Sequence, residues 1–286
     1  MSNKHVVSRW AAAVAVAGLI TFSACDQAVE MESQSTDEET ALDEAAVESE
    51  VEELFRNSQE AMDVTSEGGR QLEESYCATR TVDRQNQTIT LDFGTEGCVG
   101  ADGRTRSGVI VITYEGTLIR SRLAARTMTF DNYKVEGRTV SGSFNISGAS
   151  QNTDGHWEFT RTVTDMVMTF SDGRTFTYSN TKTLTWTEGF GDTEYFNDTF
   201  EVTGSGSGVN REGMAFTVSI DEPLVRKTEC TGNSGRGFPV SGVKSYSATS
   251  DGETRSFSVD YGDGTCDRTV EVSFADGTTR TVEVDR

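Results

Sequence analysis

Hydrophobic and polar residues alternate along most of the chain beyond Thr88, and a period of two predicts β-strands. In the clearest run, residues 175–187, Phe176 and Trp186 lie on one face while Thr or Ser occupies every position of the other. An apolar face opposite a hydroxyl-rich face is typical of an antiparallel sheet with one side toward water. Residues 109–114 are apolar on both faces and predict a central strand.

Asp-Gly pairs separate the predicted strands. Asp-Gly supplies the positive φ angles of tight hairpin turns, so neighbouring strands should pair as hairpins. We therefore predict an all-β fold of about a dozen strands, an antiparallel meander that forms a sandwich or one long curled sheet. The pairs begin at Asp102, Asp154, Asp172, Asp251, Asp263 and Asp276.

The N-terminus has the organisation of an exported lipoprotein leader. Lys4 and Arg9 precede an apolar run at 10–22 that is too short to span a bilayer. Residues 22–25, Phe-Ser-Ala-Cys, resemble the lipobox of bacterial lipoproteins, with Phe in place of the commoner Leu. The resemblance implies a signal peptide over 1–24, cleavage before Cys25 and acylation of its thiol. The alternative is an ordinary secretory signal whose Cys25 later joins a disulfide.

Lipid on Cys25 is the membrane contact that we expect, because no other segment approaches the ~18 apolar residues of a spanning helix. The predicted location is the cell envelope, at the outer membrane. Glu30, Glu32 and the acids at 37–39 resemble the acidic export tag of surface lipoproteins in the Bacteroidetes, which implies exposure at the cell surface. A merely acidic linker would have the same composition.

Residues 25–75 form a strongly acidic segment, with 17 Asp or Glu between Asp26 and Tyr76 against two Arg. Such a segment repels itself and stays hydrated, so we expect a tether that holds the folded part away from the lipid. The charge also argues against nucleic acid as a partner. Val47, Val51, Leu54 and Phe55 form an apolar stripe that predicts one amphipathic helix, docked on the chain's own domain or on a partner.

The predicted β-domain, residues 76–286, contains an internal repeat. Residues 88–98 align without gaps on 256–266. Both segments contain Asp-aromatic-Gly, and both end in a cysteine four residues after that glycine. A further cysteine precedes each copy, which predicts two related modules at about 76–150 and 225–286. An exported chain should form disulfides, and the repeat favours Cys77 with Cys98 and Cys230 with Cys266 among three possible pairings.

Segments 91–108, 129–133, 200–208 and 259–267, which include both Asp-aromatic-Gly motifs, carry a wider resemblance. Here the chain is similar to uncharacterised lipoproteins of the Bacteroidetes. The resemblance spans most of the chain beyond Tyr76. It implies an exported, lipid-anchored β-protein and brings no activity, substrate or catalytic residue with it.

Candidate chemistry is sparse. Asp260, Asp263 and Asp267 could bind Ca²⁺, although Asp in Gly-rich turns normally serves the backbone and the EF-hand order is missing. His156 is the single histidine of the mature chain, which disfavours a histidine-dependent nucleophile. Residues 204–208, Gly-Ser-Gly-Ser-Gly, lack the Lys of a phosphate-binding loop and indicate a linker or strand connection.

These observations favour a non-enzymatic envelope lipoprotein with a structural or binding role, no cofactor, and an envelope protein or glycan as partner. The alternative is a glycan-binding or glycan-hydrolysing surface module. Its sugar platform would consist of exposed aromatic residues, whereas burial of the same residues would favour the first function. A regular Thr face could also bind ice, a weaker alternative. The aromatic candidates are Trp157, Trp186, Tyr178 and Tyr195.

Overall fold

A computed structural model describes residues 24–62, 77–116, 124–190, 197–230, 238–250 and 252–284. One helix precedes fifteen strands. The helix is α1, Ala24–Met62. The strands are β1 Thr79–Asp83, β2 Thr88–Asp92, β3 Cys98–Val99, β4 Thr105–Tyr114, β5 Arg126–Val135, β6 Arg138–Ile146, β7 Ser150–Gln151, β8 Trp157–Thr169, β9 Thr175–Glu188, β10 Thr199–Val209, β11 Ala215–Lys227, β12 Pro239–Ser250, β13 Glu253–Asp263, β14 Thr269–Phe274 and β15 Thr279–Glu283.

All fifteen strands belong to one antiparallel sheet whose order follows the chain from β1 to β15. The two-residue strands β3 and β7 pair with β4 and β8 at the margin of this path. The sheet is not closed, since β1 and β15 are its two edges. The predicted all-β meander is therefore confirmed, and of the two predicted forms it takes the single curled sheet.

The hairpin turns use the glycine of each Asp-Gly pair. At the β8–β9 turn, Phe170 N donates to Arg174 O and Gly173 N donates to Phe170 O, which closes a three-residue loop. Gly173 has a φ of 84°, the left-handed conformation that this loop requires. The Asp172 carboxylate accepts the Arg174 amide at 2.9 Å. The turns at Asp102 and Asp276 repeat this contact with the amide two residues on.

From Asp37 to Met62 the helix lies against the inner face of the sheet, with buried residues on all its sides. Buried positions from Asp37 to Met62 include the predicted stripe, with Val51 and Leu54 at 0% exposure, and also the acids Glu44 and Glu48. The helix predicted for the acidic segment is therefore present and docks its apolar stripe on the chain's own sheet, and residues 37–62 are largely enclosed there instead of hydrated. Strands from β4 to β15 supply cations that pair with acids of the helix, so much of the charge is neutralised inside the sheet instead of being solvated.

The edges of the sheet contact opposite ends of the helix, which explains why they do not meet. Arg80 of β1 donates to the Ala61 carbonyl, whereas Arg280 of β15 contacts Gln34 and Glu38. With a rise of ~1.5 Å per residue, these contacts lie about 35 Å apart along the helix axis. The sheet thus winds along α1 as a spiral and does not close into a barrel.

Repeated β-bulges bend the strands around the helix. The β4–β5 register shifts where Gly108 faces Asn132, and the β6–β8 register shifts where Gly142 faces Asp165. A Cβ at Gly108 would lie 2.3 Å from the Asn132 carbonyl, and one at Gly142 would lie 2.6 Å from that of Asp165. Asn132 and Asp165 have φ of 49° and 48°. Bulges of this kind increase local twist and let a wide sheet curl.

The Gly-Ser-Gly-Ser-Gly segment lies inside strand β10 and is not the linker or connection that we expected. The reason lies in contacts with side chains of the two neighbouring strands. Across β10 the rings of Tyr178 and Phe216 stack with centroids 6.2 Å apart. A Cβ at Gly206 would come within 2.9 Å of the Tyr178 hydroxyl, and one at Gly208 within 2.9 Å of the Phe216 ring. Glycine is used here because two aromatic rings cover the strand.

Both predicted disulfides are present. Cys77 bonds to Cys98 with Cα atoms 6.1 Å apart, and Cys230 bonds to Cys266 with Cα atoms 5.3 Å apart. The bridges close chain separations of 21 and 36 residues near the two ends of the sheet. A bridge of this length contributes roughly 3–4 kcal/mol in the chain-entropy account.

Candidate functional site

The inner face of the sheet carries a buried ionic network centred on Glu48 of α1. Glu48 is 3% exposed and accepts contacts from Lys182 at 2.7 Å and Arg161 at 3.1 Å. The Asn180 amide donates to the same carboxylate at 2.8 Å, and Arg226 lies 3.5 Å away. One helical turn later, Glu52 pairs with Arg161 at 2.6 Å and also with Arg226.

One turn earlier, Glu44 is fully buried and contacts three side chains on two strands, β9 and β12. Lys244 of β12 lies 2.6 Å from its carboxylate, and the hydroxyls of Tyr246 and Tyr178 donate to it at 2.9 and 2.8 Å. Burial, with Glu44 beside them, raises the pKa of both tyrosines well above its ordinary value. These hydroxyls therefore stay protonated as donors and do not act as acids.

A second cluster faces β4 and β5. Arg104 contacts Glu50 at 2.6 Å and also Glu53, and Arg106 pairs with Glu53. The Tyr133 hydroxyl donates to Glu50 at 3.2 Å. The acids of α1 thus alternate between partners on different strands as the helix turns.

The network holds its acids ionised. Burial alone would raise the pKa of Glu48, but Lys182, Arg161, Lys244 and Arg226 outweigh it and hold the pKa well below its ordinary value of 4.5. The pKa of Glu52 is lowered in the same way by Arg226 and Arg161 against the effect of burial. Ionised carboxylates that are paired and enclosed stabilise a fold and have no access to a substrate.

The sequence contained a signal for this network that periodicity reasoning missed. Arg161, Lys182, Arg226 and Lys244 occupy inward positions of strands whose neighbouring inward residues are apolar. A charge on the apolar face of a strand predicts a buried opposite charge. The matching acids follow at four-residue spacing along α1, at Glu44, Glu48 and Glu52.

The four aromatic candidates do not form one platform. Trp186 and Tyr178 are each 1% exposed and belong to the core, so neither is available to a sugar ring. Trp157 is half-buried, and its ring lies 5.2 Å from that of Phe190, which is 45% exposed. Tyr195 lies outside the described residues.

The three candidate calcium ligands serve turns. Asp260 accepts the Gly262 amide at 2.8 Å, Asp263 accepts the Thr265 amide at 3.1 Å, and Asp267 accepts the Thr269 amide at 3.0 Å. Within the described ranges, no three His, Cys, Asp or Glu side chains form a group that could bind a metal. His156 is exposed, next to the β7–β8 turn.

The outer face of the sheet carries rows of hydroxyl side chains and also exposed acids such as Glu201, Asp221 and Asp260. Strand registers place one hydroxyl or amide residue of each strand side by side, and we call this line the hydroxyl row. It crosses the whole sheet and ends at an Asp in β1. Its members are Asp83, Thr88, Thr113, Thr127, Asn145, Thr162, Thr181, Ser205, Ser219, Ser245, Ser258, Ser273 and Thr279.

Two open hollows lie on this face and together form what we call the outer groove. One has a volume of about 620 Å³ over β8 to β12, and the other about 710 Å³ over β10 to β14. Thr217 and Ser247 line both hollows, so they are continuous. Asp165 is the one charged residue among the lining residues.

Comparison of the chain with protein-family models finds no match, and neither do comparisons with curated proteins and with solved structures.

Proposed function

We propose that the protein is an exported, lipid-anchored envelope protein whose β-domain has a non-enzymatic structural or binding role at the cell surface. The observation that supports a non-enzymatic role is that helix α1 fills the space inside the curled sheet. The space that could have formed a ligand cavity is filled by α1, and the acids Glu44, Glu48 and Glu52 are paired with strand cations there. The carboxylates best placed for acid–base chemistry are therefore engaged in the fold.

The anchor half rests on the leader and on the position of Cys25. Residues 1–23 lie outside the described residues, and α1 begins at Ala24. About 13 Å of helix axis separates Cys25 from Gln34, which contacts Asp276 and Thr278 in the β14–β15 hairpin. A lipid on Cys25 would therefore hold that hairpin close to the bilayer, with the rest of the domain beyond it. The described helix is not long and apolar enough to cross a membrane.

Cys25→Ser tests the anchor. We expect the variant to leave the membrane fraction and to lose metabolic palmitate labelling, because the thiol is the acylation site. Ser23→Ala is the matched control, since it keeps a small residue beside the cleavage site and should retain both properties. Unchanged detergent partitioning and labelling in Cys25→Ser would contradict the proposal.

A further inference from the structure

The proposed function assigns no specific role to the outer groove. Its floor consists of short hydroxyl side chains on adjacent strands, in registers that pair Ser207 with Thr217, Thr217 with Ser247, and Ser247 with Ser256. Serine is not a favoured strand residue, unlike threonine. Repeated serine on the outer face of β10 to β14 therefore has a cause other than strand formation.

The hydroxyls of the groove are available to a ligand. The groove is lined by five such residues whose hydroxyls make no hydrogen bond within the part of the chain that the structure describes: Ser207, Thr217, Ser247, Ser256 and Ser258. Each hydroxyl offers one donor and two acceptor positions. By contrast, Ser219 and Ser245, at the same face, both donate to the Asp221 carboxylate.

The chemistry of the lining selects the class of ligand. An anionic ligand finds no complementary charge, and a cationic ligand finds a single carboxylate, that of Asp165 on the β8 side, among the lining residues. Apolar atoms of residues such as Val209 and Phe216 also contribute to the lining, but a purely apolar partner would bury the groove hydroxyls without hydrogen-bond partners, which costs free energy. A neutral chain rich in hydroxyls matches both the neutrality and the mixed donors and acceptors.

The dimensions select an extended chain. The hydroxyl-lined part of the groove runs across the strands from β9 to β14, which at ~4.8 Å per strand is roughly 24 Å. Hydroxyls recur at that strand spacing along its whole length, so a linear ligand would meet a donor or acceptor at each strand.

We propose that the outer groove binds an extended neutral glycan through its rows of serine and threonine hydroxyls. This names a ligand class for the binding role proposed above, and it does not need the aromatic platform of Trp186 and Tyr178. Hydroxyl contacts without stacked aromatic rings give weak binding, and a chain that spans several strands compensates by making many such contacts.

The test uses the mature full-length chain with Cys25→Ser, which carries no lipid, so its result is independent of the anchor. The probes are β-1,4-linked hexasaccharides of glucose and of xylose, titrated by NMR and calorimetry, with polygalacturonate as an acidic comparison. We expect at least one neutral hexasaccharide to bind and to shift outer-face signals of β9 to β14. Polygalacturonate should not bind, because the full sequence has a net charge of −21 and loss of the leader, with Lys4 and Arg9, makes the mature chain more negative still.

The decisive variant is Ser207→Ala combined with Thr217→Val and Ser247→Ala, which removes three hydroxyls at the centre of the groove and keeps its shape. We expect affinity to fall roughly tenfold or more, as for the loss of three neutral hydrogen bonds. Thr113→Val is the matched control, because Thr113 belongs to the hydroxyl row but lies outside the groove. Thermal unfolding should be unchanged in both.

Three results would overturn the proposal. One is the absence of binding to either hexasaccharide at millimolar concentration. Another is equal binding by the triple variant and the wild type. The third is self-association or ice-growth inhibition that the triple variant abolishes, since it would assign the face to a second copy of the chain or to ice. None of these results bears on the lipid anchor, which Cys25→Ser tests separately.

Discussion

The inner and outer faces of the same strands carry different polar groups. Cations on the inner face are buried and paired with the acids of α1, whereas the outer face carries hydroxyls and exposed acids. On β9, Lys182 is 1% exposed and paired with Glu48, whereas Thr181 next to it points outward in the hydroxyl row. The inner face is charged because its partner is an acidic helix, and the outer face is free of that constraint. The comparison shows that the acidic helix determines which side chains the inner face of the sheet can accommodate.

The largest expected effect follows from removing the helix. A chain that lacks residues 25–62 should fail to form a cooperative fold, because Arg161, Lys182, Arg226 and Lys244 would lose their acids while remaining on an apolar face. Near-ultraviolet circular dichroism and protease resistance measure this. A truncated chain with native near-ultraviolet signal would show that the inner face does not depend on α1.

A comparison on one strand contrasts the two faces directly. Trp186→Ala removes a core side chain that packs against Phe200 with ring centroids 5.2 Å apart, and we expect a loss of ~3–5 kcal/mol in unfolding free energy. Thr185→Ser on the outer face should cost well under 1 kcal/mol. Urea unfolding of both variants provides the measurement. Equal, small losses would mean that the two faces are not distinct.

Substitution of a charged residue on α1 should cost more unfolding free energy where its ion pair is buried than where the pair is exposed. Glu48→Ala leaves Lys182 without its acid and leaves Arg161 and Arg226 with Glu52 alone, and we expect a loss of ~3–5 kcal/mol. Glu38→Ala breaks a pair with Arg280, which is 40% exposed, so the loss should stay within ~1 kcal/mol. The same urea experiment compares them. Similar losses from both would contradict the buried network.

The network also predicts how stability depends on pH. The pKa values of Glu48 and Glu52 are lowered in the folded state, so their contribution is fully present above the ordinary value of 4.5 and is lost as pH falls through the folded values. Asp43, whose pKa burial raises, opposes this with one group against two. The urea concentration at the unfolding midpoint should therefore fall as the pH is lowered below about 4.5, and it should fall less steeply in Glu48→Gln. A flat profile in the wild type would disprove the linkage.

The smallest effect is expected at Arg126, a buried cation that differs from the others. It donates to Ser58 and to the Ala124 carbonyl, and burial lowers its pKa to about 9. No carboxylate among the described residues pairs with it. Arg126→Met should therefore change stability by less than ~1 kcal/mol or raise it, whereas Arg161→Met should cost several kcal/mol, because it leaves Glu48 and Glu52 short of a partner. Thermal unfolding distinguishes the two.

The sequence by itself determined the strands, the hairpins and both disulfides, because those properties are local or repeated. Period-two alternation identifies a strand without knowledge of its neighbours, and Asp172-Gly173 sets its turn by the φ of one residue. The pairing of Cys77 with Cys98 followed from a repeat that places each bridge within its own module.

Only the tertiary structure decided what the acidic segment and the glycine-rich segment are. Asp37 to Met62 has the composition of a solvated tether, and its burial depends on cations that come from strands more than 50 residues away, such as Arg161 opposite Glu48. Gly206 and Gly208 are compatible with a linker until Tyr178 and Phe216 are known to cover β10. In both segments, the deciding interaction joins side chains that are distant in sequence, and a local pattern contains no information about which partner will be opposite.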